Sequence, residues 1–463
     1  NLNLLEPLVL IFLVIFLNSS NDPTYDTQLY HHQILNWNYN FKIVMNLATV
    51  DSRMAMISPW QLFLSIGNFK IFDVFVAKIL NFLPLYIIFA ELIGFYKKKV
   101  DLERFELFLV ISILYIFFYS LIHPFKNGII LMHLGSLGTD FAAMIFFILT
   151  IYFFIKYIVN RSDDYFRYIV ILSSLTVFCR TSYIPILLLP TVLIFNKKLF
   201  LKEINFNFLV IFIFVAWFLR SLFNNGCLIY PLKFTCFSFD NYVSKAYVEN
   251  YSNIIKSFAR TAPDHYRFMD INFSINTYQW FVPWFKKYIL INSLSQIFLA
   301  IILALSIPAI FKIIKNKNLR LNYVYLVISL ILCLVVWLEA PDLRFALGIF
   351  ISIPVLLISY TFPLKKKLFK YLKLSFPLLI LCLIIKNINN YKEINLNSIF
   401  LKEYNYDNFE TLGLTGGLRI VKNTSNNGFC YDIKDICIID KNKNNINFLL
   451  RKNKFGYFQF FEN

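Results

Sequence analysis

Apolar runs of membrane-crossing length constrain this chain more than any other feature. About 17–25 consecutive apolar residues are needed to cover a hydrocarbon core. The stretches that reach or approach this length are Leu2–Leu17, Ile71–Tyr96, Phe105–Ile122, Thr139–Val159, Phe206–Phe223, Ile289–Ile313, Tyr323–Leu338, Phe345–Phe362 and Leu374–Ile388. A further apolar stretch, Tyr165–Phe195, is interrupted by Arg180 and Pro185. It reads either as one long broken span or as a tight hairpin of two. The composition agrees: 58% of the 463 residues are hydrophobic and only 16% charged, with 53 Phe and 28 Tyr. Soluble domains run nearer half apolar and a quarter charged. Disorder, collagen and a small disulfide scaffold are excluded.

The formal charge of +18 has two readings, a nucleic-acid-binding surface or a membrane-topology signal. Its distribution decides. Nineteen basic residues fall in five short segments: Lys97, Lys98, Lys99 and Arg104; Lys156, Arg161 and Arg167; Lys197, Lys198 and Lys202; Lys312, Lys315, Lys317 and Arg320; and Lys365, Lys366, Lys367, Lys370 and Lys373. The opposite short loops hold Lys126, Arg180 and Arg344. Short cytoplasmic loops retain Lys and Arg, so the five clusters are expected in the cytoplasm and nucleic acid is not an expected partner. The clusters around Arg161 and Lys197 then share a side, which makes Tyr165–Phe195 a hairpin with Arg180 near its outer tip. The expectation is an all-α polytopic membrane protein with about eleven transmembrane helices. Its amino end is cytoplasmic and its carboxyl end extracytoplasmic. Leu2–Leu17 has the alternative reading of a signal-peptide core.

The transmembrane domain is expected over residues 1–388, with long external loops at 18–70 and 224–288, and a small extracytoplasmic domain over 389–463. Tyr30–Trp37 and Ser58–Phe69 carry apolar residues at helical spacing, as in helices lying at a membrane face. The tail holds strand-like runs at Leu418–Val421, Ile436–Ile439 and Phe448–Leu450, separated by turn residues. Cys227, Cys236, Cys430 and Cys437 all fall in external segments as two local pairs. That favours Cys227–Cys236 and Cys430–Cys437 disulfides in an oxidising compartment. Reduced buried Cys is the alternative.

Acids and arginines gather at the outer face. Asp26 follows the first span and precedes His31, and Asp140 opens the fourth span in Gly135-Ser136-Leu137-Gly138-Thr139-Asp140. Glu339 and Asp342 bracket Pro341, with Arg344 two residues on. Helix capping competes as an explanation for Asp140, and an Asp342–Arg344 surface pair for the late loop. An Arg in a tight outer loop suits an anionic group through its planar donor fork. A base for a hydroxyl and a cation for a departing phosphate are the parts a glycosyl transfer needs.

These residues resemble the GT-C superfamily of integral-membrane glycosyltransferases, which take sugars from polyprenyl-phosphate carriers. Asp26 matches the acid after the first span in that superfamily and Asp140 the acid of the next external loop. Tyr25-Asp26 through Trp37, Thr139-Asp140-Phe141 and Pro341-Asp342-Leu343-Arg344-Phe345 carry the likeness. More narrowly, the chain resembles a group of bacterial membrane proteins of this type in Tyr30–Trp37, Arg53–Trp60, Gly226–Pro231, Trp337–Gly348 and Cys430–Arg451.

The resemblance implies a bacterial inner-membrane enzyme. Its donor is a polyprenyl-phosphate-linked sugar that enters from the membrane lipid, and its acceptor is an extracytoplasmic glycan, lipid or protein. Asp26 is implied as general base in an inverting displacement, with Asp140 as a second catalytic acid. His31, Arg53, Arg180, Glu339, Asp342 and Arg344 are implied as substrate-binding residues, the phosphate lying near Arg344 and Arg180. The adjacent acidic pair that several such families carry in the first loop is missing, so no cofactor is implied firmly and a divalent cation stays open. Two competing readings stand beside this one. A polysaccharide polymerase or O-antigen ligase would carry several Arg in its long loop, where Asn224–Tyr288 has Arg260 and Arg267. A flippase or transporter of envelope glycolipids would carry mid-span charges, of which Lys78 and Glu91 are the clearest.

Overall fold

The computed structural model describes residues 26–40, 43–49, 51–71, 74–97, 103–122, 136–195, 202–238, 242–261, 278–286 and 320–361. It also describes scattered positions between 304 and 382, and the strands at 409–415, 418–423, 436–438, 448–452 and 458–462. The expected spans at Leu2–Leu17, Ile289–Ile313 and Leu374–Ile388 lie wholly or largely outside the described residues.

The described chain is mostly helical. Helices α1 (His32–Asn40, continuing a π-turn at Thr27–His31) and α2 (Pro59–Ser65) occupy the first loop segment, and α3 is Val76–Leu80. The bundle is built from α4 (Leu83–Lys97), α5 (Arg104–Ile122), α6 (Asp140–Asn160), α7 (Asp163–Cys179), α8 (Leu188–Ile194) and α9 (Ile204–Asn225). It continues with α10 (Lys245–Thr261), α11 (Phe281–Phe285), α12 (Arg320–Trp337) and α13 (Leu347–Thr361). Among the described residues three helical segments are long and apolar enough to cross a membrane: Asp140–Asn160, Ile204–Asn225 and Leu343–Thr361.

Helix α6 is the axis of the bundle. It is apolar all round and 83% of its central window is buried, as expected of a helix surrounded by others. It packs against α4, α5, α7 and α13. Gly348 permits the α13 contact, because a Cβ there would lie 3.0 Å from Phe147 Cβ. Helix α9 is the opposite case. Only 17% of its window is buried, and Phe208, Leu209, Phe212 and Phe223 are exposed along it.

Two expected spans differ from their sequence reading. Ile71–Tyr96 is not one helix. It holds the β2–β3 pair (Lys70–Ile71 with Val74–Phe75), then α3, a turn at Asn81–Phe82, and α4. The break has a local cause. Asn81 spends its side chain on Trp60 Nε1 (2.9 Å) and on the Ser136 carbonyl (2.6 Å), and Pro84 suits a first helical turn better than an interior. Tyr165–Phe195 does reverse, at Arg180, whose backbone is extended (φ −152°, ψ 117°). The returning arm is a 3₁₀ helix (Thr181–Leu187) followed by α8, and both pack on α7. Pro185 and Pro190 each lack the amide hydrogen an α-helix interior needs.

The described strands of the tail fall into two sheets. Strands β4 (Phe409–Thr415), β5 (Leu418–Asn423) and β6 (Ile436–Ile438) form one sheet. Strands β7 (Phe448–Lys452) and β8 (Phe458–Glu462) form a hairpin, and β8 pairs in parallel with β1 (Val44–Met45) through Val44↔Phe458 and Met45↔Gln459. The end of the chain therefore completes a sheet begun in the first loop segment.

Candidate active site

The π-turn that carries Asp26 is fixed from below by a polar seam. Thr27 Oγ1 meets Ser136 Oγ at 2.8 Å and accepts from the Leu137 amide at 3.2 Å. Ser136 Oγ also accepts from the Gly138 amide at 2.9 Å. This ties the turn to the loop that opens α6, so Asp26 and Asp140 arrive at the same end of the bundle. Helix α2 is pinned there too. Ser58 caps it, accepting from the Trp60 and Gln61 amides, and donates to the Phe178 carbonyl at 2.7 Å, just before Arg180.

The late loop is held by two tryptophans. Trp284 Nε1 donates to the Pro341 carbonyl at 3.0 Å and Trp337 Nε1 to the Asp342 carbonyl at 2.8 Å. Asp342 caps the following 3₁₀ turn (Leu343–Ala346), Oδ1 accepting the Arg344 amide at 3.0 Å. The same carboxylate takes one edge of the guanidinium: Nε reaches Oδ2 at 3.0 Å and Nη2 reaches it at 2.9 Å. Nη1 of Arg344 turns the other way and donates to Asp26 Oδ2 at 3.1 Å.

Arg180 and Asp140 form the second half. Their side chains are paired, and the Arg180 guanidinium stacks on the Phe345 ring with 3.7 Å from Cζ to the centroid. Arg344 lies 5.6 Å from the same centroid, so one aromatic ring serves both cations. Asp140 acts electrostatically on Arg344 and on Tyr30. The cluster holds three carboxylates and two guanidiniums. Asp26 is its more open acid, with 32% of the side chain exposed against 11% for Asp140.

The flanking residues are ordered around this core. The Arg53 guanidinium pairs with Asp51 through Nε (3.0 Å) and Nη2 (2.9 Å) and lies 5.6 Å over the Tyr30 ring. Burial, then the charges of Asp26 and Asp140, push the Tyr30 phenol well above its usual range. It is therefore a neutral hydroxyl. His31 Nδ1 is taken by Gln61 Nε2 at 2.8 Å. With Gln61 donating, the neutral ring carries its proton on Nε2. That nitrogen faces Gly138, where a Cβ would lie 3.0 Å away.

Asp26, Asp140, Arg180, Asp342 and Arg344 are thus brought together, with Arg53 and His31 at the margin. Glu339 is not in the group. It pairs with Lys256 of α10 at 2.8 Å, and that ammonium holds its carboxyl below the usual range. Among the described residues no three His, Cys, Asp or Glu side chains are arranged to hold a metal ion. Asp26, Asp140 and Asp342 are each turned onto an arginine. Cys227 and Cys236 are joined by a disulfide. Cys437 is also disulfide-bonded, and Cys430 lies outside the described residues. Sequence reasoning assigned no role to Tyr30, Asp51, Gln61 or Phe345. The Arg344-Phe345 adjacency was a usable signal for the shared ring. The others depend on which loops meet.

A second polar group lies toward the other end of α6. Glu91 Oε2 accepts from Tyr152 Oη (2.7 Å) and Lys156 Nζ (3.2 Å). With Glu106 they line a cavity of about 120 Å³ between α4, α5 and α6. Sixteen residues of helix separate Asp140 from Lys156, about 24 Å at 1.5 Å per residue.

A family model described as "Domain of unknown function (DUF8201)" matches residues 5–351, a range that contains every member of the Asp26–Arg344 cluster. No curated protein and no solved structure matches the chain.

Proposed function

The chain belongs to the family described as domain of unknown function DUF8201, and from there we propose that it is a membrane glycosyltransferase. It has about eleven spans and its active site faces the extracytoplasmic side of a bacterial inner membrane. It moves a sugar from a polyprenyl-phosphate carrier to a glycan, lipid or protein acceptor with inversion. Asp26 is the general base on the acceptor hydroxyl. Arg344 and Arg180 hold the carrier phosphate as it leaves. Asp140 sets Arg180, and His31, its ring held by Gln61, contacts the acceptor.

The observation that carries this reading is the meeting of Asp26 and Asp140 with Arg180 and Arg344 at one end of an apolar bundle. A carboxylate able to take a proton and guanidiniums able to stabilise an oxyanion sit together. The nearest enzymatic rival is a polymerase or O-antigen ligase acting on the same class of lipid. A flippase or transporter is favoured by a different observation, the Glu91–Tyr152–Lys156 group on its cavity toward the opposite interface, because ionisable groups that line a cavity in a membrane bundle often mark a transport path.

The test is transfer from a panel of polyprenyl-phosphate sugars by purified chain in lipid. Asp26→Asn is expected to reduce transfer by roughly 10²–10⁴-fold, the usual share of a general base. Equal transfer by both proteins would remove Asp26 from the mechanism. Translocation of labelled glycolipid without any transfer would favour the transporter.

A further inference from the structure

The arginine that the proposed mechanism needs for phosphate is occupied. Asp342 takes Nε and Nη2 of Arg344 on one carboxylate oxygen, at 3.0 and 2.9 Å. Its other oxygen holds the Arg344 amide at 3.0 Å, and two indole bonds fix the loop behind it. One edge of the guanidinium is therefore spent on orientation. The nitrogen that remains is Nη1, and Asp26 Oδ2 sits on it at 3.1 Å. The guanidinium also lies 5.6 Å from the centroid of the Phe345 ring, which Arg180 shares. The same ion pair also occupies the carboxylate that is to act as base.

We infer that Asp26 is an internal stand-in for the anionic group of the substrate, so that phosphate and Asp26 exclude each other at Nη1 of Arg344. Asp342 is the positioning residue: it takes the Nε–Nη2 edge and so turns Nη1 toward Asp26. Arrival of a phosphoryl group on Nη1 releases Asp26, and the base becomes competent only when a donor is bound. The inference rests on the reading of Arg344 as the phosphate-binding residue. It adds that ground-state binding of the donor and activation of the base are one event. Without donor, Asp26 stays paired with Arg344.

The exchange is tested by binding, with no need for turnover. The full chain in nanodiscs is titrated with a short-chain polyprenyl monophosphate, with the alcohol of the same tail as blank. Asp26→Asn is expected to bind the phosphate more tightly than wild type, by roughly two- to fivefold, the upper part of the range for losing a partly exposed competing ion pair. In the Arg344→Gln background, Asp26→Asn should change nothing, and Arg344→Lys should bind weakly, since an ammonium cannot hold Asp342 by an edge and offer a third nitrogen. Asp342→Ala gives the guanidinium back its second edge, so the gain from Asp26→Asn should shrink there. That loss of coupling is not produced by a merely structural Asp342.

If Asp26→Asn tightens binding equally with and without Arg344, the effect is only removal of a negative charge and the exchange is overturned. A weaker or unchanged affinity in Asp26→Asn overturns it as well. Both of those results leave the glycosyltransferase reading standing. Wild type binding no better than Arg344→Gln overturns the exchange and also removes the phosphate role of Arg344 from the proposed function.

Discussion

Single side chains at the Asp140 end of the bundle carry two sharp predictions. His32 is buried beside the site, and burial, then the Lys78 and His31 charges, lower its pKa to about 3. Its folded value lies below the unfolded one near 6.5. The unfolded chain thus binds the extra proton between those values, and stability falls as pH drops through that window. The loss is about 1.4 kcal/mol per pH unit while only the unfolded form is protonated. His32→Gln should flatten the acid side of a stability–pH profile in detergent, and an unchanged slope would show that His32 does not control it. Gly138→Ala tests the other histidine. Its new Cβ would lie 3.0 Å from His31 Nε2 and from Ser136 Oγ, so one must move. A loss of about 1–3 kcal/mol is expected, together with a shifted His31 imidazole resonance. Much of this neighbourhood was legible beforehand. Arg180 and Arg344 stood out because outer loops carry few basic residues, and Asp26 and Asp140 because they border spans. Their pairing was not legible. The Asp342–Arg344 pair was one of the two readings of the late loop, but nothing in Asp342-Leu343-Arg344 says that the remaining guanidinium nitrogen faces a residue 318 positions away. Glu339 looked equivalent to Asp342 in sequence and is drawn off by Lys256, a residue of another loop.

At the scale of elements, apolar periodicity identified α5, α6, α9, α12 and α13 to within a few residues, since burial or lipid must cover such runs. It failed where polar bonds or prolines override hydropathy, at Asn81–Pro84 and at Thr181–Leu187. Strand β8 was missed because its partner β1 is a two-residue strand some four hundred positions earlier. The disulfide hairpin after α9 is an element whose stability can be predicted. Cys227 and Cys236 join directly beyond the Gly226 cap of α9, and the hairpin packs Tyr230 against Ala48, Ala55 and Val248. Closing a ring of this size is worth roughly 2–3 kcal/mol in the chain-entropy account. The Cys227→Ser, Cys236→Ser pair should therefore lower thermal stability, and reductant should lower it by more in wild type than in the variant, which keeps the Cys437 disulfide. Equal sensitivity of both to reductant would assign the effect to another cysteine.

The described bundle carries two polar groups at opposite ends of one apolar helix, α6. The Asp26–Asp140–Arg180–Arg344 cluster caps the amino end of α6, and Glu91, Tyr152 and Lys156 gather about 24 Å away by helix rise. A hydrocarbon core is about 30 Å thick, so each cluster falls near a different interface if α6 crosses. The β1–β8 pairing puts the end of the chain on the same side as the first loop segment, which carries Asp26. In the proposed orientation, which follows the positive-inside rule, the Lys156–Arg161 end faces the cytoplasm. These statements meet in one measurement. Alkaline phosphatase, which is active only outside the cytoplasm, should be inactive when fused at Arg161 and active when fused after Asn463, with the reverse pattern for a fluorescent protein that matures only in the cytoplasm. The inverted result would turn the arginine–aspartate cluster toward the cytoplasm. It would then face soluble nucleotide-linked sugars, and the need for a lipid-borne donor would vanish. Activity at both positions would mean that the five basic segments do not fix orientation, and the charge argument for the topology would fail with it.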